Sequence, residues 1–385
     1  MKFTSRDVLE KLVSFPTVSR DSNLDLVDWV QDFLSDNGIV SHRMLNEDGQ
    51  KAAIYAHVGP DAPCGVVLSG HTYVVPVDGQ DWATDPWVVT EKDGKLFGRG
   101  TCDMKGFNAL ALVALVRAKG APLKRPVQIA LSYDEEIGCE GAPPLIEKMQ
   151  ENLPPAALAI IGEPSMMKVV TGQKGSSGFL VHVRGFEVHS SLMHTGVNAI
   201  MEGAKLIAWC NEMNARGEAS KPTEIAAMFV PPWTSVHVGV ITGGTAHNIT
   251  AKDCHFGVDF RFVPTDARDV WEARFIAEVR RIEADMKAVH PDAGIDLHPD
   301  FGLPGLKPEV NGPAEQLARK LTGDNASHVV SYGTEAGHFR NAGYSSVICG
   351  PGDIAQAHQP NEYVTLEQLA AGEAFMDRLI EHLCQ

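Results

Sequence analysis

A chain of 385 residues, 44% hydrophobic and 21% charged, can bury a full core in one large or two ordinary domains, which excludes a disordered or low-complexity protein. Its 49 acidic against 33 basic side chains give a net charge of −16, which argues against nucleic acid and anionic membranes, since both reward basic patches. No apolar run reaches the roughly 18 residues a membrane helix needs, and MKFTSRDVLEKL lacks a basic region followed by an apolar stretch, so a cytoplasmic protein is expected.

Taken in chain order, four segments share one plan. GVVLSG leads to His71, PVQIALS to YDEE, ALAIIG to Glu163, and SSVICG through PGDIAQA to His358. Each is a short run rich in Val, Ile and Leu, as in strands covered on both faces, and each is followed by a side chain able to bind metal. Helical spacing marks 107–119, 142–152 and 367–383 between and after them. Strands alternating with helices predict a largely parallel α/β sheet, in which ligands gather at the carboxyl ends of the strands.

The middle of the chain reads differently. GFLVHVRG (178–185), HVGVITGG (237–244) and DCHFGVDFRFVP (253–264) are expected strands, the last alternating Cys254, Phe256, Val258, Phe260 and Phe262 with polar or small residues. That pattern fits an antiparallel sheet with one solvated face, and helices near 197–215 and 267–289 are expected to cover the other. PPW and GLPGLKP mark loops. The predicted architecture is an α/β catalytic domain, residues 1–174 and 301–385, interrupted by an α+β insertion over 175–300. Seven cysteines, none spaced C-x-x-C, suggest neither a disulfide framework nor a thiolate zinc site. Cys102, beside Asp103, would be reactive only with a depressed pKa.

Five side chains fall at one predicted sheet edge: His71, Asp103, Glu136, Glu163 and His358. Taken singly, each has an ordinary explanation, such as a strand-end histidine, a helix N-cap aspartate or a solvated acidic turn. Together they are two imidazoles and three carboxylates, the donor set of zinc and its neighbours, with too many anions for one tetrahedral ion. Two ions sharing one carboxylate would use all five, and Asp103 in GRGTCDMKG is the natural bridge.

SGHTYVVPVDG, GRGTCDMKG, SYDEEIGCEGA, IIGEPS and AHQPNEYV occur in the order and approximate spacing of a known family. The chain resembles, over nearly its whole length, the di-zinc amidohydrolases that include acetylornithine deacetylase, succinyl-diaminopimelate desuccinylase, aminoacylases and glutamate carboxypeptidase. The resemblance implies one zinc on His71, Asp103 and Glu163 and another on Asp103, Glu136 and His358, roughly 3.5–4 Å apart, with cobalt a workable substitute. It implies Glu135 as the general base, and His189 as a residue that reaches the partner subunit's active site to steady the oxyanion, hence a homodimer. Standing alone, His189 would be a surface or packing residue. Asn248 and Arg261 match the family's substrate clamps, the arginine fork suiting an α-carboxylate. Glu335 in SYGTEAGHF is a candidate for the substrate's terminal ammonium, with a carboxylate at a helix start as the alternative.

One position departs from the family. Residue 73, two beyond His71, is aspartate in the family's H-x-D, where it fixes the histidine's tautomer; here it is tyrosine. In an extended segment residues i and i+2 face the same way, so Tyr73 is expected beside the imidazole. Its hydroxyl could serve as the acceptor, the site could be impaired, or the sequence could be altered there. The activity implied is metal-dependent hydrolysis of the amide bond of an N-acyl amino acid, N2-acetyl-L-ornithine foremost. A desuccinylase, aminoacylase or dipeptidase, or an impaired homologue, are the alternatives.

Overall fold

The computed structural model describes residues 3–385. The described residues divide into two compact units, one formed by residues 3–172, 308–328 and 334–385, the other by 173–307 and 329–333.

The first unit is built on an eight-stranded sheet. Its centre runs Val127–Ser132, Gly65–His71, Ala156–Pro164 and Ser345–Gly350, each parallel to its neighbour. Antiparallel strands flank it: Ala52–Val58 and Ser41–Leu45 on one side, Val170–Gln173 on the other. Every residue of Gly65–His71, Val127–Ser132 and Ser345–Gly350 is buried, which is why those runs carry no polar alternation. The helix Lys105–Lys119 is buried on nearly all sides, while Ala142–Asn152 begins with prolines in its first turn, where a missing N–H costs nothing. Leu366–Leu383 is capped by Thr365, whose hydroxyl accepts from the Gln368 amide. The largely parallel α/β fold read from the sequence is therefore present. The helix expected over 107–119 begins at Lys105; Gly106 hides that first turn in the sequence, since glycine disfavours helix, and it is needed there because a Cβ would meet the Thr101 carbonyl.

The second unit has an antiparallel sheet in the order Ser235–His237, Asp253–Phe262, Gly175–Arg184, Gly294–Leu303, with Ile241–Gly243 also on Asp253–Phe262. Helices Ala199–Ala219 and Arg268–Val289 supply Leu206, Phe275 and Ile282 to a core shared with Val181, Phe256, Val258 and Phe260. HVGVITGG is two strands rather than the expected one. The register on Asp253–Phe262 slips by one residue across the Gly239 segment, a bulge that glycine accommodates. Gly294–Leu303 was not among the expected strands because Pro299 and Gly302 weaken its signal. As the edge strand beyond Gly175–Arg184 it tolerates both, with a register shift between them.

Candidate metal-dependent active site

The carboxyl ends of the parallel strands deliver the site residues. His71 closes Gly65–His71, Glu135 and Glu136 follow Val127–Ser132 in a single 3-10 turn, and Glu163 lies at the end of Ala156–Pro164. Asp103 precedes Lys105–Lys119, and His358 follows Ser345–Gly350 in a left-handed conformation. Glycine is required just before the first ligand. A Cβ on Gly70 would stand 2.1 Å from the Asn108 Oδ1, and the Asn108 amide donates to the His71 carbonyl at 2.6 Å. Gly162 likewise lets the Glu163 strand lie against the Phe107 ring.

All five expected ligands converge. The Asp103 carboxylate points one oxygen at each imidazole: Oδ1 is 3.1 Å from His71 Nε2 and Oδ2 3.2 Å from His358 Nε2. His358 Nε2 is also 3.1 Å from Glu136, and His71 Nε2 is 3.7 Å from Glu163. Glu135 lies 3.8 Å from His71 Nε2, so its carboxylate faces the same space. His358 is half exposed at the mouth, while His71 and Asp103 lie at the buried floor.

The donor set fits divalent cations. Glu136 Oε1 and Glu163 Oε1 are buried without a hydrogen-bond partner among the described residues. Four carboxylates and two imidazoles converge on one space, and imidazole with carboxylate is the chemistry of zinc-like ions. Burial pushes the Glu135 carboxyl up to about 8, with Glu136 and Asp103 adding to it and His71 opposing, which poises it to exchange a proton near neutrality. Hydrogen bonds to Asp103 and Glu136 raise His358 to about 10. Burial would lower His71, but Asp103, Glu135 and Glu163 outweigh it and hold it well above its usual range. Both rings thus carry, at pH 7, a proton that an incoming cation must displace. Metal affinity is expected to rise with pH through the neutral range, with proton release on loading. Competition titrations at several pH values check this, and an affinity that does not change with pH contradicts it.

Tyr73 differs from expectation. The strand ends at His71, and the chain turns through Thr72, whose hydroxyl donates to the Ser132 carbonyl at 2.9 Å. The Tyr73 side chain therefore leaves the imidazole and donates its hydroxyl to the Asp21 carbonyl at 2.6 Å. The backbone carbonyl of Tyr73 takes the place of an acidic side chain, lying 2.8 Å from His71 Nδ1. A carbonyl only accepts, so Nδ1 carries the hydrogen in the neutral ring and Nε2 is free to face the metal, the orientation the family's aspartate enforces. Tyr73→Phe is expected to keep metal content and turnover and to lose about 1 kcal/mol of stability with the Asp21 hydrogen bond. A variant depleted of metal would contradict the carbonyl's role.

Beneath the ligands lies a pair the sequence reading missed. Arg99 and Glu362, each with a 1% exposed side chain, are joined at 2.7 Å. The other Glu362 oxygen accepts from the backbone amides of Cys102 and Asp103, at 2.9 and 3.0 Å. Arg99 also donates to Gln80 Oε1, and Gln80 donates to the His358 carbonyl at 2.9 Å. One buried pair therefore fixes both the Asp103 and the His358 loops. Its signal in the sequence was the arginine and glutamate inside GRG and PNEY, neither distinguishable from a surface charge. Cys102 is held unreactive, its thiol pushed up by burial and by Glu362 and Asp103. All seven cysteines are free thiols.

Of the remaining candidates, Glu335 is 1% exposed, accepts from Ser69 at 3.0 Å and from Ser132, and stands immediately before the short helix Ala336–Asn341 without a side-chain bond to its amides. With both oxygens engaged by serines under the strand ends, it has the geometry of the helix-start alternative and presents no surface to a substrate ammonium. His189 and Asn248 lie in the second unit, where they come together: the Ser190 amide donates to the Asn248 carbonyl at 2.9 Å, and His189 forms a bridge with Ile249. The His189 ring is exposed, with Nδ1 2.8 Å from Ser191 Oγ. Arg261, on the face of its strand opposite Phe260 and Phe262, holds Asp259 at 3.0 Å.

The sequence model of peptidase family M20/M25/M40 matches residues 67–382. The chain belongs to this peptidase family. It is 34% identical to the acetylornithine deacetylase of Myxococcus xanthus, over 98% of this chain and 97% of the relative. To the acetylornithine deacetylase of Pasteurella multocida (strain Pm70) it is 30% identical, over 97% and 96%. Among solved structures, an M20 family metallo-carboxypeptidase from Sulfolobus solfataricus shares the fold with a TM-score of 0.80 at 17% identity, over 99% of both chains. As a member of the M20/M25/M40 family with full-length deacetylase relatives, the chain is a metal-dependent amidohydrolase. Among the described residues, no helix is long and apolar enough to cross a membrane.

Proposed function

We propose that the chain hydrolyses the amide bond of an N-acyl amino acid, N2-acetyl-L-ornithine first, using two zinc ions. The observation that carries the reading is the Asp103 carboxylate with one oxygen directed at each of two imidazoles, the arrangement of a bridging ligand. His71 and Glu163 would complete one position, His358 and Glu136 the other. The full-length likeness to two acetylornithine deacetylases favours the substrate.

When bound, the metal pair supplies a Lewis acid for the amide carbonyl and lowers the pKa of a bound water to about 7. Glu135 would hold the proton in transit, accepting it from the attacking water and giving it up to the departing amine, a role that its elevated pKa suits. The Tyr73 carbonyl keeps His71 in the required tautomer, and Glu362 holds Asp103 through its backbone. His189, from the partner subunit of a homodimer, steadies the oxyanion, while Asn248 and Arg261 bind the substrate's polar end. Residues 175–300 then serve as lid and dimerisation domain. A rate panel of acetylornithine, acetylmethionine, succinyl-diaminopimelate and a dipeptide, with zinc or cobalt added, tests the substrate. The highest kcat/KM is expected for acetylornithine, and a preference for the succinyl or dipeptide substrate would overturn that choice.

A further inference from the structure

Away from the catalytic cluster, a second group of side chains has metal-ligand chemistry, and it lies wholly within the second unit. His182 on Gly175–Arg184 and His255 on Asp253–Phe262 are register partners across the antiparallel ladder. Their rings stack at 4.0 Å between centroids, with planes 16° apart. Asp253, two residues from His255 and so on the same face, places Oδ1 2.7 Å from His182 Nε2. One donor atom from each of the three lies within 4.8 Å of the other two. On its other side His182 Nδ1 looks toward Asp296 at 3.7 Å, and Asp296 is itself fixed by Arg184 at 2.7 Å. A histidine whose one nitrogen faces a carboxylate while the other faces further donors has the orientation of a metal ligand.

We propose that His182, Asp253 and His255 bind a divalent transition ion at a site separate from the catalytic pair. Register-paired residues of an antiparallel ladder are held roughly 5 Å apart by the backbone, so two of the three ligands are brought together before any ion arrives. His255 is exposed and can turn about its side-chain torsions to share an ion with His182. Two imidazoles with one carboxylate suit zinc, copper or nickel, and not calcium or magnesium, which take oxygen ligands. Three protein ligands leave a coordination position for water or a fourth donor. The rings line a hollow of about 640 Å³ shared with His298, Leu180 and Val240, which gives an ion access from solvent.

The test is equilibrium dialysis of the full chain and of His255→Gln against zinc, read as equivalents bound per chain. The wild type is expected to bind one equivalent more than the variant, while hydrolysis of the acylated substrate is the same in both. Because the reading is a difference between two proteins with the same catalytic site, it holds whatever that site binds. Asp253→Asn is the second variant, should the first fail to fold, and is expected to lose the same equivalent. Equal zinc stoichiometry in wild type and variant, or calcium taken up in place of zinc, would overturn the proposal.

Discussion

Glu135→Gln is expected to lower kcat by about 100- to 10,000-fold, the usual worth of a positioned general base, while metal content and folding stay at wild-type levels. Glutamine keeps the size and one acceptor oxygen of the side chain but cannot take a proton. The geometry allows a second role to be tested in the same variant, because Glu135, Glu163 and His71 could also group around one ion. If Glu135 were a ligand, the variant would lose metal along with activity. Full metal with little turnover identifies the base; retention of most of the wild-type rate contradicts the assignment outright.

Arg99→Met should be nearly as damaging by another route. Removing one partner of a buried ion pair leaves the other charge uncompensated, at a cost of about 3–5 kcal/mol. Here that charge is Glu362, whose carboxylate also holds the Asp103 amide, so metal affinity is expected to fall together with stability. The double variant Arg99→Met, Glu362→Gln removes the stranded charge and is expected to recover much of the stability. Urea denaturation and zinc competition on the single and double variants separate the terms. A single variant as stable as wild type would show that the pair does not hold these loops.

The central strands and the five converging ligands were legible because fully buried parallel strands write continuous Val, Ile and Leu runs, and their carboxyl ends fall at one edge whatever the intervening loops do. Tyr73 was misread for the complementary reason. Period-two alternation holds only within a strand, and the chain turns immediately after His71, exchanging a side chain for a backbone carbonyl as the acceptor. A carbonyl has no letter in a sequence. Support for an impaired enzyme, which rested on Tyr73 alone, falls with that geometry. Arg99 and Glu362 were invisible on different grounds: nothing local marks a charge as buried, and their partners lie about 260 residues apart in the chain.

Anomalous diffraction at the zinc edge, from crystals grown with zinc, tests the central claim most directly. Two peaks flanking the Asp103 carboxylate are predicted, one contacting His71 and Glu163, the other His358 and Glu136. A single peak there, or density that leaves Asp103 without contact to any metal, would contradict the account.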